Sequence, residues 1–69
     1  MASILFDQAA IDVSEDAEEV LNRVANSRDG LRRGNGTIIA PAGWIVLSDA
    51  VTGEALYVQV GRVGYVREG

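Results

Sequence analysis

The sequence contains no cysteine, no histidine and no lysine, and its single proline is Pro41. Without cysteine there is no disulfide to staple the chain and no thiol chemistry. Without histidine or cysteine, a structural zinc site would have only carboxylates as ligands, which zinc rarely accepts alone. The missing lysine removes a Schiff-base nucleophile. The missing histidine leaves Ser3, Ser14, Ser27 and Ser48 without the base that activates a hydroxyl. No apolar run approaches the roughly 18 to 20 residues that cross a bilayer. The stretch Met1–Asp7 has no positive leader and too short an apolar run for a secretory signal, so the expected compartment is the cytoplasm.

What is present fits one small domain spanning residues 1–69. A chain of this size buries only about 60% of the surface it exposes when unfolded, so its core is marginal. Disulfides, a metal or a partner subunit are the usual supplements. With the first two removed, oligomerisation or docking onto a larger partner is left. An apolar content of 48% and a formal charge of −4 place the chain among folded proteins. All six basic residues are arginine, a composition that fits a GC-rich genome.

Charge is unevenly spread. Residues 1–20 hold six acids and no base, whereas residues 21–39 hold four arginines against Asp29 alone. Ile4–Phe6 and Ala10–Val13 read as short strands around a polar turn at Asp7-Gln8. Ser14 has the hydroxyl expected of a helix N-cap. Glu15, Asp16, Glu18 and Glu19 follow it, where the positive end of the helix dipole favours carboxylates. Ala17, Val20, Leu21 and Val24 fall on one helical face, and Glu19 and Arg23 have the i, i+4 spacing of a weak ion pair. The helix should end near Asn26 or Ser27.

Gly30–Gly36 reads as a glycine-rich basic loop or the tip of a hairpin, since Asn35-Gly36 favours a tight turn. Thr37–Ala40 is expected to be a strand, and Pro41-Ala42-Gly43 a turn. Trp44–Asp49 and Ala55–Val60 form the clearest hairpin, with Thr52-Gly53 in its loop, and Val63–Arg67 is a last strand. The expected fold class is α+β: one helix on a twisted antiparallel sheet of about five short strands. Ile45, Leu47, Leu56, Val58 and Val60 share one face of the hairpin; Trp44, Val46, Ala55 and Tyr57 make the other face apolar too. One helix covers one face. Either the sheet curls towards a small barrel, or the second face meets another molecule.

The acids offer little chemistry. Asp12–Asp16 superficially matches the start of a calcium loop, but Ala17 replaces the required glycine and Arg23 the bidentate glutamate. The carboxylates cluster at a helix start, where solvated acids are ordinary, and a chain this short has little room for an enclosed pocket. No catalytic residue, metal ligand or cofactor is expected. The six acids of the first third also permit mimicry of a nucleic acid in a basic groove. Arg28, Arg32, Arg33 and Asn35 form the anion-binding candidate, because arginine forks bind phosphate bidentately and glycines let backbone amides approach. The segment lacks the lysine and spacing of a phosphate-binding loop, and a flexible polar connection whose arginines offset the acidic helix explains it better. Trp44, Tyr57 and Tyr65 could stack on bases or anchor an interface; interface anchors fit strand aromatics better.

The segments Trp44–Leu47, Thr52–Val58 and Val63–Glu68 resemble those of short uncharacterised actinobacterial and actinophage proteins that close with a comparable hairpin, tight turn and final strand. Ile11–Val20 is similar to the strand–helix step of the same proteins and loosely to FlbD-like flagellar proteins, with the two parts in reverse order. Together these segments cover about half the chain. The resemblance implies a small α+β module of phage or mobile-element origin and carries over no catalytic residue. The leading expectation is a non-catalytic interaction protein, paired with itself as a homo-oligomer or with a host protein through Trp44, Val46, Tyr57 and Tyr65, with no membrane partner. The alternatives are nucleic-acid or nucleotide and phosphate binding through residues 28–36, and a minor structural component of a virion.

Overall fold

Alternating apolar residues and a two-residue turn start the fold. In a computed structural model describing residues 1–69, β1 (Ala2–Phe6) and β2 (Ala9–Val13) pair antiparallel from Ala2↔Val13 to Phe6↔Ala9, leaving Asp7-Gln8 as the turn. Asp7 has φ 56°, the left-handed geometry that a tight hairpin demands at its first central position. Its amide donates to the Arg62 carbonyl at 3.1 Å, and Arg62 Nη1 donates to the Asp7 carboxylate at 3.2 Å. On the other side of β1 lies β7 (Val63–Glu68), from Ala2↔Glu68 to Phe6↔Val63. The register slips at Gly64, where a Cβ would stand 2.9 Å from Leu5 Cδ2.

The helix α1 (Ala17–Ala25) starts two residues later than the hydroxyl of Ser14 led us to expect. Asp16 is the N-cap: its Oδ1 accepts the Glu19 amide at 2.8 Å. Ser14 is held extended instead, its amide donating to the Ser48 carbonyl at 2.8 Å. The expected apolar stripe is narrower than its spacing implied. Val20 is fully buried and Ala17 and Val24 pack on the core, but Leu21 is 55% exposed. Successive helical residues turn by about 100°, so Leu21 falls beyond the line that faces the strands.

After a single 3₁₀ turn at Ser27–Asp29, Gly30 takes φ 72°, and a Cβ there would stand 2.6 Å from the Ala40 carbonyl oxygen. Only glycine fits. It launches a short arm, β3 (Leu31–Arg32) paired with β4 (Ile38–Ala40), tipped by Arg33–Gly36. The basic loop is therefore a hairpin tip. The Trp44 amide closes the following turn onto the Pro41 carbonyl at 3.0 Å, with Gly43 at φ 85°. β5 (Trp44–Ser48) and β6 (Ala55–Gln59) then form a regular hairpin, and a 3₁₀ turn at Val60–Arg62 leads into β7.

The α+β class is as expected, but the sheet is divided. Seven strands form three sheets, β2-β1-β7, β3-β4 and β5-β6. A bridge between Val13 and Asp49 joins the first to the third at one corner. The strands thus run in the order β7-β1-β2-β5-β6, a roll left open between β6 and β7. The barrel does not close. Ala2, Ile4, Val13, Val20, Ile45, Leu47 and Val58 meet inside it, and no polar side chain is buried.

Leu47 is fully buried in that cluster. Leu47→Ala is expected to cost about 2 to 5 kcal/mol, a loss comparable to the whole stability of a domain this small. A urea titration followed by circular dichroism measures it.

Candidate functional site

The parity of the hairpin decides which backbone groups of β5 need partners. The Asp49 amide donates to Glu54 and the Val60 amide to Gly43, so the odd-numbered residues of β5 bond across to β6. Val46 and Ser48 consequently direct their main-chain groups away from β6. Arg23 Nη1 donates to the Val46 carbonyl at 2.7 Å, and Glu15 Oε1 accepts the Ser48 amide at 2.9 Å. The same Arg23 donates to Glu15 Oε2 at 3.2 Å and, through Nε, to Glu19 at 3.0 Å. The i, i+4 pair read from the sequence is one part of this clamp between helix and strand.

Burial alone would push the Glu15 carboxyl up. The Ser48 amide, its own amide, the Ser48 side chain and the Arg23 charge outweigh that and hold it below the ordinary carboxylate value. The Asp49 carboxyl is also lowered, by the amides of Thr52 and Val51 in the hairpin loop.

Above the clamp, the outward face of the hairpin carries Trp44, Val46 and Tyr57, with Val46 directly opposite Tyr57. Trp44 and Val46 are half-buried and Tyr57 is 57% exposed. Trp44 and Val46 line an open groove of about 510 Å³ with Arg23, Asn26 and Leu31. Both faces of the hairpin are apolar, as the sequence pattern implied. Tyr65 does not join this surface. It stands on β7 beside Leu21 and Val24, with the Arg67 guanidinium 5.1 Å from its ring centroid.

Arg28, Arg32 and Arg33 are exposed on and beside the arm, and none makes an ion pair. Leu31 and Ile38 are 49% and 57% exposed on the same arm. The Asn35 side-chain oxygen Oδ1 is used within the tip, accepting the Thr37 amide at 3.0 Å. No three acidic side chains converge as a metal-ligand set, and no helix is long and apolar enough to cross a membrane.

Sequence reasoning missed the role of Arg23 and Glu15 at the strand edge, and of Glu68, whose carboxylate accepts the Ala17 amide at 2.8 Å. The only local signal was Arg23 itself, the one arginine within the acidic helix. No protein family, curated protein or solved structure matches the chain.

The folded state holds the Glu15 carboxyl below its unfolded value, so it binds fewer protons there than the unfolded chain. Its stabilisation is complete above the ordinary carboxyl pKa of 4.5 and fades as pH falls through the lower folded value. Glu15→Gln is expected to lower stability at neutral pH by about 1 to 2 kcal/mol and to flatten the acid limb of the stability curve. Denaturation midpoints measured from neutral to acidic pH provide the check.

Proposed function

We propose that this protein is a non-catalytic interaction module whose binding surface is the outward face of the β5–β6 hairpin. One observation carries the reading: Trp44, Val46 and Tyr57 form an apolar aromatic face on a regular hairpin whose opposite face already fills the core. Tryptophan and tyrosine supply large contact area at low entropic cost and dominate interface energetics. The adjoining groove adds polar groups from Arg23 and Asn26 at its rim. The partner in this reading is another copy of the chain or a separate host protein.

Trp44 is the only tryptophan, so its emission reports on this face directly. Association that covers the face is expected to shift the emission to shorter wavelength. Trp44→Ala or Tyr57→Ala should weaken that association by about 2 kcal/mol, roughly thirtyfold in Kd. Association unchanged in both variants, with the fold intact by circular dichroism, would place the interface elsewhere.

A second reading is favoured by the three unpaired arginines on and beside the arm. In it, Arg28, Arg32 and Arg33 bind the phosphates of a nucleic acid or nucleotide. It requires a single-stranded oligonucleotide to bind with affinity that falls steeply as salt rises, by a log–log slope of about 0.7 per phosphate contacted. Replacing the three arginines by glutamine should abolish that binding. Binding that is absent, or indifferent to salt and to the triple substitution, removes this reading.

A further inference from the structure

We propose that the free edge of β6 pairs antiparallel with β6 of a second copy of this chain, with Tyr57 opposite Tyr57, making one four-stranded sheet in the order β5-β6-β6-β5. The inference deepens the interaction reading above and rests on it for the need of a partner. Its ground is a contrast among the strand edges of one molecule.

Exposed edges are templates for unwanted pairing, and proteins blunt them with charge, bulges, proline or a covering group. Here the edge of β5 is occupied by Arg23 and Glu15. The edge of β2 is taken up at its end by the bridge to Asp49, where the Ala50 amide also donates to the Asp12 carbonyl. β7 is interrupted at Gly64 and ends in Arg67-Glu68, with Glu68 turned onto the helix. β6 carries none of these devices. Ala55–Val60 has no charge and no proline, and the register with β5 has no bulge. Because odd residues of β5 bond to even residues of β6, the amides and carbonyls of Ala55, Tyr57 and Gln59 point outward, and all three residues are exposed.

The segment is complementary to itself. Centred on Tyr57, the pairing sets Ala55 opposite Gln59 of the second copy and Leu56 opposite Val58. All the outward groups then meet in about six main-chain hydrogen bonds. Leu56 and Val58 stay on the core side. Tyr57 meets its counterpart on the outward side, where it extends the Trp44 and Val46 face across both copies. Charge sets the direction. β6 is flanked by Glu54 at one end and by Arg62 at the other. Antiparallel pairing therefore sets Glu54 opposite Val60 of the second copy, two residues from its Arg62, at both ends, whereas parallel pairing would set like charges side by side. Arg62 is available for this, because its present partner Asp7 is an exposed one.

The decisive experiment combines native mass with amide exchange on the untagged full chain. Light scattering after size exclusion is expected to give twice 7.3 kDa at high concentration. Exchange at the Ala55, Tyr57 and Gln59 amides should slow by roughly tenfold or more between dilute and concentrated protein. Gln59→Pro is the probing variant. Gln59 has φ −81° and ψ 114°, which proline accepts, and its amide points away from β5. This variant should keep the circular dichroism of the parent and remain monomeric, while Gln59→Ala still dimerises. A parent that is monomeric at every concentration overturns the proposal, as does a monomer whose edge amides become protected only when a different protein is added. A dimer that survives Gln59→Pro, with freely exchanging edge amides, overturns it too; if that dimer falls to Trp44→Ala, the interaction face itself stands. A dimer lost in Gln59→Pro but indifferent to Trp44→Ala and Tyr57→Ala upholds the edge pairing and removes the face.

Discussion

A strand edge that faces the rest of its own molecule must have its amides and carbonyls satisfied, and in this protein two side chains do that work. Arg23 reaches the Val46 carbonyl and Glu15 takes the Ser48 amide, so a guanidinium and a carboxylate stand where another strand would otherwise lie. The pair also bond to each other. They therefore fix the helix to the strand in position and in rotation, which sets Val20 into the core and leaves Leu21 outside it. The groove beside Trp44 is the space left over once the helix is pinned there. Both charges gain strength from main-chain partners, which distinguishes the clamp from the exposed ion pairs of ordinary surfaces.

The molecule manages without staples by keeping its interior simple. Its core is aliphatic, no polar side chain is buried, and every titratable group reaches solvent or a partner. Such a core has little to specify its arrangement except the strand registers and the turns. Turn chemistry is accordingly strict at Asp7, Gly30 and Gly43, all of which have positive φ. The arm is the exception. With strands of two and three residues, apart from the main ladders, it is held by few bonds and exposes two large aliphatic side chains.

Much of the local structure was legible in the sequence because local rules produced it. The Trp44–Ser48 and Ala55–Gln59 hairpin follows from alternation, its two apolar faces from parity, and the Asp7-Gln8 turn from polarity between two short apolar runs. What was not legible depended on distance. Ser14 is as good a cap as Asp16 until Ser48, far along the chain, accepts its amide and holds it extended. Arg23 reads as an i, i+4 partner because nothing nearby reveals Val46. Tyr65 and Trp44 look alike as strand aromatics, yet they belong to different ladders, and only the pairing of β7 with β1 separates them. That Trp44, Val46 and Tyr57 share one face was thus legible, the separate place of Tyr65 was not, and the clamp beneath the face was hidden.

The position of β1 between β2 and β7 has a consequence for the order of events as the chain forms. β1 is among the earliest segments and its second neighbour among the latest, so the widest ladder needs a loop of nearly the entire sequence to close. The β1–β2 hairpin and the β5–β6 hairpin are each built from contacts close in sequence. The central strand then waits with one side bare until β7 arrives. The side of β1 that stays bare until then is an edge the folded molecule conceals beneath β7.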